Sequence, residues 1–236
     1  VAGLLFIYLP VRGLVMAFLV LLAGYWALLS FVAVPGQEMV SFEAGRNITN
    51  WFDSKYLPFA KWSGTYDPEG ILSTLPSIAT CLLGVFVGLL LKNKKLTRGK
   101  RFLIFFGVGF IFVLCGHLWG GYHPVIKSLW TSSFVILAGG WSLILLSFFY
   151  LVIDVANIKK WAMPFVWIGM NPIMIYLLST VLDFNHIAKR VLGGPVEEWA
   201  DGILPGLGAL LIAVGGIFLI FWLCQTLYKR KVFLRI

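Results

Sequence analysis

Apolar residues run through this chain in long unbroken stretches, with polar residues gathered into the gaps between them. Six stretches are long enough to cross a bilayer as helices, since about 18 or more apolar residues mark a spanning segment. They are Leu14–Ala33, Ile71–Leu91, Phe102–Gly120, Leu129–Ile153, Ala162–Leu182 and Ile203–Leu227. The pattern therefore predicts an all-α fold: a polytopic integral membrane helix bundle with about six transmembrane helices. A further apolar run, Val1–Leu9, is too short to span and carries no basic leader, so it does not read as a signal peptide. It reads as the tail of a helix that starts earlier. On that expectation residues 1–236 are the C-terminal portion of one transmembrane domain whose N-terminal helices precede this chain.

Composition agrees with the pattern. Of 236 residues, 60% are hydrophobic and 12% are charged, with a mean hydropathy of +0.91. A soluble domain carries about 25% charged residues, so a soluble fold is excluded. Cys81, Cys115 and Cys224 all fall inside apolar runs, which predicts neither a structural disulfide nor a cysteine metal site.

The charge distribution predicts an orientation. Arg12, Lys92, Lys94, Lys95, Arg98, Lys100, Arg101, Lys159, Lys160, Lys229, Arg230, Lys231 and Arg235 fall at one side of a six-span arrangement. Arg46, Lys55, Lys61, Lys127, Lys189 and Arg190 fall at the other. Basic residues concentrate on the cytoplasmic side of membrane proteins, so the richer side, with the C-terminus, is expected in the cytoplasm. Of the ten acidic residues, Asp154 alone sits on that side.

Polar residues at the opposite side carry the candidate chemistry. The stretch Thr65–Pro76 holds Asp67, Glu69, Ser73 and Thr74 at the entrance of an apolar helix. Acids placed there are costly unless water, a partner or a substrate meets them. Asp67 also reads as an N-cap, with Pro68 in the first turn and Glu69 facing the helix dipole. Pro76 cannot donate to the carbonyl of Leu72, which predicts a broken backbone there. Along the same helix Ser77, Thr80, Cys81, Gly84 and Gly88 form a small-residue stripe suited to helix packing.

A second cluster runs from His123 to Ser133. Its Thr131, Ser132 and Ser133 suit a helix cap, and Lys127 suits a pair with Asp67 or Glu69. Within the fifth run, Asn171 precedes Pro172, and Tyr176 follows on roughly the same face. Between Pro35 and Tyr66, aromatics such as Trp51, Phe52, Tyr56, Phe59 and Trp62 suit an interfacial belt or stacking on a sugar ring. Asn47-Ile48-Thr49 has the spacing of a glycosylation sequon. Acids from Asp183 to Asp201 read as a solvated loop, and the glycines of the last run suit tight packing. The three histidines and scattered acids do not make a metal site, and no phosphate-binding or nucleophile-elbow motif is present.

Taken together, Tyr66-Asp67-Pro68-Glu69-Gly70-Ile71-Leu72-Ser73-Thr74, Leu83-Gly84-Val85, Pro124–Val135, Asp154-Val155, Pro164-Phe165, Gly169-Met170-Asn171 and Leu227–Ile236 occur in the order found in one family. The chain resembles the heparan-α-glucosaminide N-acetyltransferase family and its bacterial relatives. The resemblance covers nearly the whole chain, although Ile126 stands where relatives commonly have Asn. The family's earlier Asp-x-x-Arg-Gly signature and its acetyl-transfer histidine have no match here.

That resemblance implies a transmembrane acyltransferase. It would move an acetyl group from cytosolic acetyl-CoA, its donor substrate, to an amino sugar or glycan beyond the membrane, with no metal. Asp67 and Glu69 are then the expected catalytic carboxylates. Tyr66, Ser73, Thr74, Lys127, Trp130, Ser132, Ser133, Asn171 and Tyr176 are the expected substrate-binding residues. Lys94, Lys95 and Arg98 are expected to hold the CoA phosphates. The expected partners are the lipid bilayer, the preceding helices of the same protein, the glycan acceptor and a second copy in a homo-oligomer, with no nucleic acid. A bacterial inner membrane is the expected location. Discontinuous helices at Pro76 and Pro172 would also suit a transporter or permease, the competing reading, and a non-catalytic membrane subunit is the third.

Overall fold

The computed structural model describes residues 1–64, 66–192 and 194–233. Thr65 of the acidic stretch, Arg235 of the basic tally and Leu234–Ile236 of the C-terminal motif lie outside the described residues. All regular elements among the described residues are helical. They are α1 (Ala2–Tyr8), α2 (Val11–Phe31), α3 (Ile48–Tyr56), α4 (Thr74–Lys92), α5 (Arg98–Gly120), α6 (Ser132–Tyr150), α7 (Met163–Gly169), α8 (Pro172–Val181), α9 (Phe184–Leu192), α10 (Gly194–Ile203) and α11 (Leu207–Lys229). Five of these, α2, α4, α5, α6 with its π-helical extension to Val155, and α11, are long and apolar enough to cross a membrane. The fifth predicted run is a bent pair: Lys160–Gly169 and Pro172–Val181 meet at 69°, and counting them as one span gives six.

The chain divides into two compact units, Val1–Ala156 and Asn157–Ile236. In the first, α5 and α6 make the most extensive contact. Glycines set their approach, because a Cβ at Gly116 would press on the backbone of Leu137, and one at Gly140 on Val113 and Gly109. Leu14, Phe18, Leu22, Ala79, Leu82, Val135 and Ile136 form the buried core of α2, α4 and α6. At Gly84 and Gly88, expected to mediate packing, an added Cβ would meet nothing within 4 Å beyond their own helix. The close approach in this unit is made by other glycines, on α5 and α6.

The second unit is built on α11, against which α7, α9 and α10 pack. Here the expected glycine packing is present. A Cβ at Gly208 would strike Glu197, and one at Gly216 would lie 2.5 Å from the side-chain oxygen of Asn185.

Candidate functional site

The Asp67 stretch is a turn and not a helix start. Asp67 accepts from the backbone N–H of Glu69 (2.9 Å) and of Trp62 (3.1 Å). Those two donors, Glu69 first, hold its carboxyl below the ordinary aspartate range. Asp67 therefore shapes the loop and is not the cap of the spanning helix. That helix begins at Thr74, three residues later than the apolar run suggests, because residues 71–73 form a separate turn. Ser73 and Thr74 both donate to the carbonyl of Gly70, at 2.9 and 3.0 Å. Pro76 consequently sits in the first turn, where a missing N–H costs little. The carbonyl of Leu72 is taken by the N–H of Leu75 (3.1 Å), so the expected break at Pro76 is absent. Glu69 is exposed, and none of the described ion pairs involves it. Tyr66 is half-buried beside it.

Beneath the turn lies a polar layer that the sequence reading missed. Asn47 caps α3 by accepting from Asn50 N–H (2.8 Å), and its burial to 1% exposure removes the sequon from solvent. One helical step of three or four residues along α3 aligns Thr49, Asn50 and Asp53, all buried. Asp53 accepts from the N–H of Ile71 through one oxygen (3.0 Å), while its other oxygen is buried without a partner. A Cβ at Gly70 would overlap that carboxylate. Burial pushes the Asp53 carboxyl up, opposed by the Ile71 N–H; nearby Asp67 adds to the rise, and Lys61 works against it. Tyr25 completes the layer, donating to the carbonyl of Leu129 (2.6 Å) beside the Thr49 hydroxyl.

The His123–Ser133 segment is consumed by its own fold. Thr131 caps α6 and also accepts from Ile126 N–H (3.1 Å). Ser132 donates to the carbonyl of Leu22 (2.7 Å) and Ser133 to that of Pro124 (3.1 Å), both fully buried. Trp130 takes a left-handed conformation (φ 52°), and its indole N–H reaches the Thr80 hydroxyl at 3.1 Å. Lys127 is exposed, and its expected pair with Asp67 or Glu69 is absent among the described ion pairs. His123 is buried between Phe42 and Trp119 with both ring nitrogens unpartnered. Burial drives its pKa down to about 4, so the ring is neutral.

Asn171 and Tyr176 do not share a surface. Asn171 is fully buried and donates to the carbonyl of Val232 (2.9 Å), whereas Tyr176 is 72% exposed. Pro172 has no N–H to offer the carbonyl of Ile168, which accepts from Asn171 N–H (3.1 Å). At the basic end, Lys94 and Lys95 are exposed. Arg98 donates to the carbonyl of Asp154 (2.9 Å), on the π-helical turn Leu151–Val155.

These features define a multi-pass helical membrane protein with a buried polar cap under an acidic turn. No protein-family model matches the chain. It is 29% identical over 177 residues to the Mus musculus protein named heparan-alpha-glucosaminide N-acetyltransferase, covering 72% of this chain and 26% of that protein. It is 38% identical over 125 residues to the Homo sapiens protein of the same name, covering 50% of this chain and 19% of that protein. These relatives bear out the family resemblance read from the sequence. The chain spans about a quarter of their length or less.

Proposed function

We propose that the protein carrying this chain is a transmembrane N-acetyltransferase. It takes acetyl-CoA as donor from the cytoplasmic side and passes the acetyl group to an amino sugar or glycan on the other. The similarity to two proteins named for that activity carries the reading. Acyl transfer to an amine needs a neutral nitrogen, a proton acceptor and a leaving group. The nitrogen attacks the thioester carbonyl, its proton passes to a base, and the CoA thiolate departs.

Glu69 is the better base of the acidic pair. Its carboxylate is open, whereas two backbone N–H groups stabilise Asp67 as the anion and weaken it as an acceptor. Asp67 is then a positioning residue for Glu69. The Ser132 and Ser133 protons are spent on carbonyls, so neither stabilises an oxyanion; their part is to fix the loop that carries Trp130 and Lys127. Lys94 and Lys95 are the free cations for CoA phosphates, while Arg98 is partly engaged at Asp154. The basic end is cytoplasmic in this reading, in a bacterial inner membrane, as the charge bias and the bacterial resemblance favour.

Radiolabelled acetyl transfer from acetyl-CoA to glucosamine by the reconstituted protein tests the proposal. Glu69→Gln should reduce the rate at least about a hundredfold, as expected for loss of a general base. Full activity of that variant would remove Glu69 from the chemistry. The 69° break between α7 and α8 favours a second reading, a transporter, because discontinuous helices hold substrate in such proteins. Solute uptake by proteoliposomes without acetyl transfer would select it.

A further inference from the structure

The turn that carries Glu69 has no regular secondary structure, so side chains must satisfy its backbone. Pro68 has no N–H to place. The Glu69 N–H goes to Asp67 (2.9 Å), the Gly70 carbonyl takes the hydroxyls of Ser73 and Thr74, and the Ile71 N–H goes to Asp53 (3.0 Å). Glu69, Gly70 and Ile71 are therefore pinned through their main chain. The Glu69 side chain is exposed, and none of the described ion pairs involves it. The turn thus fixes where that side chain starts and leaves its carboxylate open.

Asp53 is the pin that comes from outside the turn, 18 positions before Ile71, on α3. A Cβ on Gly70 would overlap its carboxylate, so the main chain of the turn rests directly on it. The helix that presents Asp53 is itself tied down. Asn47 caps its start and donates to the carbonyl of Glu43 (2.8 Å), and Asn50 accepts from the N–H of Gly45 (2.9 Å). The Thr49 hydroxyl meets that of Tyr25, on the spanning helix α2, at 3.4 Å. Through α3 the turn is registered to a spanning helix. Stability alone does not account for a carboxylate here. Asp53 is fully buried, its second oxygen has no described partner, and none of the described ion pairs involves it. Such an oxygen lowers stability relative to an apolar group of the same shape. What the carboxylate supplies is the grip on Ile71.

We propose that Asp53 is a positioning residue for Glu69: by gripping the Ile71 N–H beneath Gly70, it sets the place and direction from which Glu69 meets the reacting nitrogen. Its part in acetyl transfer rests on the acyltransfer reading; its hold on the turn does not.

The test measures acetyl transfer and amide hydrogen exchange on the full-length protein in nanodiscs. Asp53→Ala, Asp53→Asn and Tyr25→Phe are each made with Glu69 intact and with Glu69→Gln. Asp53→Asn keeps an acceptor for the Ile71 N–H. Asp53→Ala should lower kcat roughly ten- to a hundredfold, as misplacing a reacting group by about 1 Å does, with KM for acetyl-CoA unchanged. Asp53→Asn should restore most of that rate. With Glu69→Gln already present, Asp53→Ala should cost no further rate, because residues that act as a unit are not additive. Tyr25→Phe, in the same buried layer but bonded to Leu129, should lower stability and leave kcat unchanged. Should Asp53→Ala not fold, Asp53→Ser takes its place, since its hydroxyl stops one bond short of the Ile71 N–H. Equal losses with and without Glu69, or Asp53→Asn as slow as Asp53→Ala, overturn the positioning role and leave the acyltransferase reading standing. Exchange at the Ile71 amide is read without any activity. It should quicken about tenfold in Asp53→Ala, the worth of one hydrogen bond to a charged group, and stay slow in Asp53→Asn. Unchanged exchange in Asp53→Ala overturns the hold on the turn. Quickened exchange in a wild-type background that transfers no acetyl group keeps the hold and rejects the acyltransferase.

Discussion

The polar cap above α2, α4 and α6 and the polar residues at the start of α9, which packs on α11, use similar side chains in opposite ways. In the cap, Ser73, Thr74, Ser132, Ser133, Tyr25 and Asp53 are tied to backbone groups, and most of them are buried. At the start of α9, Asp183, Asn185 and His186 are exposed, and of these only Asp183 has a described side-chain bond. Buried hydrogen-bonded groups fix a conformation, whereas open ones are available to a ligand. Changes in the cap should therefore cost stability, and changes at the start of α9 should cost far less.

The sharpest way to break this contrast is at Gly70. Its Cα lies against the Asp53 carboxylate, so Gly70→Ala should cost about 2–3 kcal/mol through forced displacement of buried groups. Unfolding of purified protein in mixed detergent measures it, and a loss below about 0.5 kcal/mol would show that the cap yields freely.

Acid should reach the cap next. His123 titrates at about 4 in the fold against 6.5 free, so the unfolded chain binds the extra proton first. Its neutral form contributes stability that is complete above pH 6.5 and lost as pH falls towards 4. The full effect is about 3 kcal/mol. Asp53 acts in the other direction: its raised pKa means that stability falls as pH rises through its folded value. Melting temperature followed from pH 7 to pH 4 should decline in wild type and decline less in His123→Leu. Parallel curves would show that the imidazole gains a partner when charged.

A smaller effect is expected from Tyr25→Phe. It leaves the carbonyl of Leu129 buried without its 2.6 Å donor and should cost about 1–2 kcal/mol. Asn185→Ala, by contrast, should stay within about 0.5 kcal/mol, as open surface changes do. A larger loss from Asn185 than from Tyr25 would invert the comparison.

Much of this architecture could be read from residue order alone, and the limits have physical causes. Bilayer-length apolar runs locate α2, α4, α5, α6 and α11 because hydrocarbon thickness leaves little freedom. The late start of α4 was hidden, since Ile71 and Leu72 are as apolar in a turn as in a helix. Asn171-Pro172 did mark the broken span, because Pro cannot continue a hydrogen-bonded helix. The Gly84–Gly88 spacing misled: a small stripe shows that close approach is permitted, not that a neighbour takes it. Hydroxyl fates were illegible for the same reason. Nothing local to Ser132 tells that its proton goes to Leu22, 110 positions away. Asp53 escaped notice because its nine-residue helix is too polar to stand out among membrane runs.

The way the spanning helices treat their own hydroxyls bears on how the protein is made. Ser77 returns its proton to the carbonyl of Ser73, Thr80 to Pro76, Ser147 to Ile144 and Thr226 to Trp222. Each helix thus leaves the ribosome with these groups already satisfied and can partition into lipid without waiting for a neighbour. Later assembly then depends on shape. The glycine faces of α5 and α6, joined by only eleven residues from Gly121 to Thr131, are positioned to meet first, as a hairpin, before α11 has been synthesised.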